Sequence, residues 1–187
     1  MIKDLHTLPA NLPVPVDDGA CDHLLGNILP SVPLISTTGK VLDLSVYEGT
    51  LVIYFYPMLG RPDGPPLVGW NDIPGARGCT PQTCAFRDSY AQLKECGVEV
   101  YGVSAQPMED QQAAYVRLQL PFALLNDAQL AFAHALQLPT FEYAGTRLIK
   151  RLTIIATNGV IRKVFYPVFP PNDNAREVIA WFMAQQG

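Results

Sequence analysis

The sequence predicts an α/β domain, a mixed central sheet flanked by helices. Three observations carry that expectation. Apolar runs of strand length alternate with segments of helical period, hydrophobic residues make up 49% of the 187, and Asn158-Gly159 sits between two late apolar runs as a hairpin signal. A chain of this length supports one well-cored domain and is short for two. No internal repeat is present.

The elements follow in order. Residues 1–30 hold four prolines and little periodicity, so they read as an extended arm that covers an edge or face of a domain spanning 31–187. A strand is expected near 32–35, its regularity limited by Pro33. Leu51-Val52-Ile53-Tyr54-Phe55-Tyr56 reads as a buried strand ended by Pro57. Residues 58–77 form an inserted loop rich in Gly60, Pro62, Gly64, Pro65, Pro66, Gly69 and Pro74, with Trp70 to pin it to the surface. A helix is expected near 83–95, where Phe86, Tyr90 and Leu93 share a face. A strand at 98–104 and helices near 108–118 and 128–136 come next. The expected hairpin pairs strands 151–156 and 160–166. A last helix begins at Asn174, with Glu177 completing a capping box and Val178, Trp181 and Phe182 as the apolar stripe.

Composition narrows the function. A net charge of -4 with no long basic run argues against nucleic acid as a main partner. No apolar run approaches the ~20 residues of a membrane-spanning helix, and the amino terminus lacks the apolar core of a secretory signal. Four cysteines in such a chain favour a reducing cytoplasm and catalytic thiols. The histidines His6, His23 and His134 have no ligand spacing to one another or to a cysteine pair, so no metal is expected.

The chemistry concentrates at Gly78-Cys79-Thr80-Pro81-Gln82-Thr83-Cys84. Proline is tolerated only in the first turn of a helix, so Pro81 puts Cys79 at or just before a helix start, with Thr80 as candidate N-cap. There, unpaired N–H groups and the positive end of the macrodipole favour thiolate, the nucleophilic form. If both positions were helical, the Cα atoms of Cys79 and Cys84 would lie roughly 8–9 Å apart, beyond the ~4.4–6.8 Å of a disulfide. A bond between them requires the first turn to unwind, which implies a two-state site. Cys96 falls at a helix end before Gly97 and reads as structural; Cys21, in the arm, is a secondary candidate for a resolving thiol.

Tyr56-Pro57, Gly78-Cys79-Thr80 with Cys84, and Phe86-Arg87-Asp88 resemble the peroxiredoxin group known as bacterioferritin comigratory protein or peroxiredoxin Q. Val32-Pro33-Leu34 with Thr38-Gly39 and Leu42-Asp43-Leu44 is similar to its amino-terminal hairpin, Gly102-Val103-Ser104 to its second central strand, and Arg151-Leu152-Thr153-Ile154-Ile155 before Asn158-Gly159 to the strand carrying its active-site arginine. The resemblance covers about residues 30–185. It implies a thioredoxin-like fold that reduces hydroperoxides, with Cys79 peroxidatic, Cys84 resolving and Arg151 in the active site. It further implies an intramolecular disulfide recycled by a thioredoxin-like reductant, with no cofactor, in a monomer or homodimer.

One position departs from the family. Its threonine three residues before the peroxidatic cysteine is Ala76 here, and Pro57 is separated from Cys79 by the insertion. A replacement donor from the insertion is expected, Arg77 being the nearest. Two other readings stay open: a protein thiol-disulfide oxidoreductase, although the Cys-x-x-Cys spacing is missing, and a redox-sensing binding protein with weak peroxidase activity.

Overall fold

The computed structural model describes residues 4–65 and 67–185. Residues 1–3 of the expected arm, Pro66 of the insertion and residues 186–187 of the expected domain lie outside the described residues.

The sheet is built around β3 (Thr50–Phe55), in which Leu51 to Phe55 are all buried. Burial on both faces is what a central strand needs, and it explains an uninterrupted apolar run in place of alternation. β3 pairs in parallel with β4 (Val98–Ser104) and antiparallel with β8 (Leu152–Thr157). The other strands are β1 (Pro33–Ser36), β2 (Val41–Asp43), β5 (Leu124–Asn126) and β9 (Val160–Phe165). They complete a seven-stranded mixed sheet in the order β2-β1-β5-β4-β3-β8-β9. The expected turn joins β8 to β9, with Asn158 and Gly159 both at positive φ.

Alternation along β3 divides the interior into two cores. Leu51, Ile53 and Phe55 pack with Phe132 and with Cys21, Leu24 and Leu29 of the arm. Val52, Tyr54 and Tyr56 pack on the opposite face with Phe86, Leu93 and Val178. The second face is covered by helices α1 (Cys79–Glu95), α2 (Met108–Arg117) and α4 (Asn174–Gln185), while α3 (Ala131–Ala135) lies on the first. Along β8, Leu152, Ile154 and Ala156 belong to the first core and Ile155 to the second. Arg151 and Thr153 share the parity of Ile155 and so point towards α1.

Four features depart from expectation. β5 was not anticipated, because three residues are too few to display a period. Nor was the separate hairpin of β6 (Thr140–Tyr143) and β7 (Thr146–Ile149); its turn holds Ala144 at φ 50° beside Gly145, and alanine gives no turn signal. Trp70 is buried and pins the insertion to that hairpin, its ring 4.8 Å from Tyr143. α3 is shorter than 128–136: Leu130 is left-handed, and the Asp127 carboxylate accepts the N–H groups of Phe132 and Ala133.

Two caps differ as well. Thr80 is not an N-cap but a buried residue inside α1; Gly78 holds the cap position at φ 113°. A Cβ there would lie 2.3 Å from Cγ of Pro171, so only glycine fits, for both backbone and space. Asn174 does not form a capping box with Glu177. A turn of 3-10 helix (Pro171–Asp173) runs into α4, and the Asn174 side chain is buried, accepting from Thr153 Oγ1 at 2.6 Å and Gln82 Nε2 at 3.0 Å.

Candidate active site

Cys79 is the first residue of α1 and 4% exposed. The helix starts here because Pro81 falls in its first turn, where its missing N–H leaves no bond unmade. The first bond of the ladder runs from Gln82 N–H to Gly78 C=O at 3.0 Å. Beneath the turn, Tyr54 stacks on Phe86 at 4.6 Å between centroids and donates to Thr83 Oγ1 at 3.2 Å. Burial pushes the Tyr54 hydroxyl far above its ordinary range, so it acts as a neutral donor.

Arg151, the residue before β8, is 3% exposed. Its Nη2 donates to the Cys79 sulfur at 3.2 Å and to the carbonyls of Ala76 at 3.0 Å and Arg77 at 3.3 Å. Nε donates to the Gly75 carbonyl at 3.2 Å, and Nη1 to Gln82 Oε1. The end of the insertion thus folds around the guanidinium. No carboxylate is paired with this buried cation among the described residues. Gln82 also donates to Asn174, which makes a hydrogen-bonded path from Arg151 to α4 and back to Thr153 on β8. Sequence reasoning gave Gln82 and Asn174 no part in the site; their burial only appears once the helices pack.

Cys84 lies one turn further along α1, half-buried and outside any disulfide, its sulfur in a long hydrogen-bond contact with Nδ1 of His6 at 3.9 Å. Burial pushes its thiol up, against the pull of Arg87. The structure therefore joins Arg151 to Cys79 but leaves Cys84 apart, on an intact helix. Cys96 caps the end of α1. Cys21 packs in the core on the opposite face of the sheet from Cys79, its thiol pushed up to about 12 by burial, and is out of reach as a resolving thiol.

The Ala76 side chain is fully buried with Trp70 and Leu148. The expected donor, Arg77, is engaged elsewhere: its Nη2 donates to the carbonyls of Asp4 at 2.6 Å and Thr7 at 3.2 Å. Its Nε is buried without a partner among the described residues. A cavity of about 20 Å³ lies over Cys79, walled by Leu5, Met58, Gly60, Leu67, Trp70, Arg77, Gly78 and Thr80. Among the described residues, no three His, Cys, Asp or Glu side chains gather as metal ligands.

A thioredoxin-like sheet, a cysteine at a helix start and a buried arginine on its sulfur together define a thiol peroxidase. Residues 24–179 match the redoxin family. A chloroplastic peroxiredoxin Q of Sedum lineare is 31% identical over 155 residues, 82% of this chain and 75% of that protein. Peroxidoxin BcpB of Mycobacterium tuberculosis shares the fold with a TM-score of 0.68 at 24% identity, over 86% of this chain and 96% of that one. Bacterioferritin comigratory protein of Xanthomonas campestris, described for its alkyl peroxide reduction activity, does so with 0.65 at 20% identity, over 95% and 100%. The chain belongs to the redoxin family, within its group of bacterioferritin comigratory proteins and peroxiredoxins Q.

Proposed function

We propose that Cys79 is the peroxidatic thiol, Arg151 its electrostatic partner and Cys84 the resolving thiol. The observation that carries this reading is the 3.2 Å contact between Arg151 Nη2 and the Cys79 sulfur inside a buried pocket. A guanidinium shielded from water and lacking a carboxylate is a counter-ion for a thiolate. In the reaction, the thiolate attacks one peroxide oxygen and the O–O bond breaks. That oxygen stays on sulfur as sulfenic acid; the other leaves with the bonding pair, takes a proton and departs as water or alcohol. The Arg151 N–H that points at the sulfur stabilises the charge as it moves to the leaving oxygen.

Cys84 then attacks the Cys79 sulfenic acid, forming the disulfide and releasing water. Both residues lie in α1, roughly 8–9 Å apart at Cα by helical geometry, so the first turn must unwind. A dithiol reductant of thioredoxin type returns two electrons and two protons, restoring both thiols. A reducing compartment such as the cytoplasm suits four free thiols. The test is to replace each cysteine by serine and measure single-turnover peroxide loss, then map the oxidised peptides. Only Cys79→Ser should abolish the first step, and a Cys79–Cys84 peptide should dominate. A fast first step in Cys79→Ser, or a covalent dimer as main product, would overturn the assignment.

A further inference from the structure

Part of the wall of the Cys79 pocket comes from the arm. Leu5 is 6% exposed between exposed neighbours, Asp4 and His6, and its side chain walls the cavity. The insertion makes room for it: a Cβ on Gly60 would lie 2.7 Å from Leu5 Cδ2. Leu8 is seated in the same way, its Cδ2 3.0 Å from a Cβ built on Gly78. The segment has its own fastenings. The Asp4 carboxylate accepts the N–H groups of His6 at 2.9 Å and Thr7 at 3.1 Å, and Arg77 clamps the carbonyls of Asp4 and Thr7. A terminal segment held at both backbone and side chain is placed, not merely adjacent.

We propose that Leu5 is a specificity-determining residue for the peroxide reaction, restricting the pocket to small hydroperoxides and excluding those with a bulky apolar tail. The proposal rests on Cys79 as the attacking thiol. The space beneath Leu5, about 20 Å³, is little more than the 10–15 Å³ or so that one water needs. Hydrogen peroxide is of a size for that space; an aromatic or branched tail is too large for it while Leu5 is seated. The same wall is apolar, with Met58, Leu67 and Trp70 beside Leu5, so a tail that displaced Leu5 would meet a surface suited to it.

The experiment compares kcat/KM for hydrogen peroxide and cumene hydroperoxide on the full chain with one reductant system. Leu5→Ala removes this part of the wall, and Gly60→Ala forces the Leu5 side chain to shift in its seat without altering it. Gly60 is not at positive φ, so alanine is tolerated by the backbone. The cumene-to-hydrogen-peroxide ratio is expected to rise at least tenfold in Leu5→Ala and to move the same way in Gly60→Ala. A ratio within threefold of wild type in both, or one raised only by a loss of hydrogen peroxide turnover, overturns the proposal. If Cys79→Ser still consumes either peroxide, the assignment of the thiol fails instead, and the proposal with it.

Discussion

Arg151 Nη2 stands 3.2 Å from the Cys79 sulfur, and the same guanidinium also donates to Gly75, Ala76, Arg77 and Gln82. The cation is fixed before peroxide arrives, so its alignment costs nothing during the reaction.

Replacing Arg151 should therefore be felt in the first step. A hydrogen bond to a charged group contributes about 1.5–3 kcal/mol, which corresponds to roughly ten- to a hundredfold in rate. Arg151→Met is expected to lose that much in single-turnover peroxide reduction. Arg151→Lys should recover only part, because an ammonium cannot reproduce the planar fork. Full recovery with lysine would mean that charge alone matters.

Gln82 is a positioning residue: it bridges Arg151 Nη1 and Asn174 without touching the sulfur. Gln82→Met leaves a buried guanidinium N–H unpaired. Stability should fall by about 1.5–3 kcal/mol, and the first step should slow while disulfide formation from pre-formed sulfenic acid does not. Slowing of both steps alike would indicate general disruption of α1.

Ala76→Thr is expected to destabilise without raising the rate. The Ala76 side chain is packed against Trp70 and Leu148, so an added hydroxyl and methyl enter a closed apolar cluster, at a cost of about 1–3 kcal/mol. Thermal unfolding together with single-turnover kinetics decides this; a large gain in rate would show that the hydroxyl reaches the peroxide.

Burial raises the Cys84 thiol, so at neutral pH less of it is thiolate than in an ordinary cysteine. Below its pKa each unit of pH multiplies the thiolate about tenfold. Disulfide formation after a peroxide pulse should therefore accelerate from pH 7 upward, past the usual thiol range. A flat profile would make unwinding of the helix the slow step.

Cys21 predicts a second pH effect, on stability. Its thiol is pushed from 9.0 to about 12. The contribution is complete below pH 9, where both states are protonated. It is lost as pH rises towards 12, because only the unfolded chain ionises there, at about 1.4 kcal/mol per unit. Denaturant unfolding of Cys21→Ala should show a shallower alkaline decline than wild type.

What the sequence made legible follows from period and turn chemistry. The apolar run at 51–56, the Asn158-Gly159 turn and the placement of Cys79 by Pro81 all act over a few residues, and Arg151 came from resemblance to a strand register. The rest depends on contacts between distant segments. Nothing near Asn174 announces that its side chain turns inward to Gln82, and nothing near Leu5 announces a seat at Gly60. Arg77 shows the same: nearness in sequence to Cys79 does not reveal the carbonyls of Asp4 and Thr7 that hold its Nη2.

The first turn of α1 has two incompatible duties. Held helical by the bond from Gln82 N–H to Gly78 C=O, it keeps Gln82 on Arg151 and so keeps the peroxide site assembled. With Cys84 as resolving partner, that same bond must break in every cycle. Turnover then depends on a local folding equilibrium: a turn made too firm would strand the sulfenic acid and expose it to further oxidation, while one made too loose would rarely present a finished pocket. The most stable version of this helix would not be the fastest enzyme.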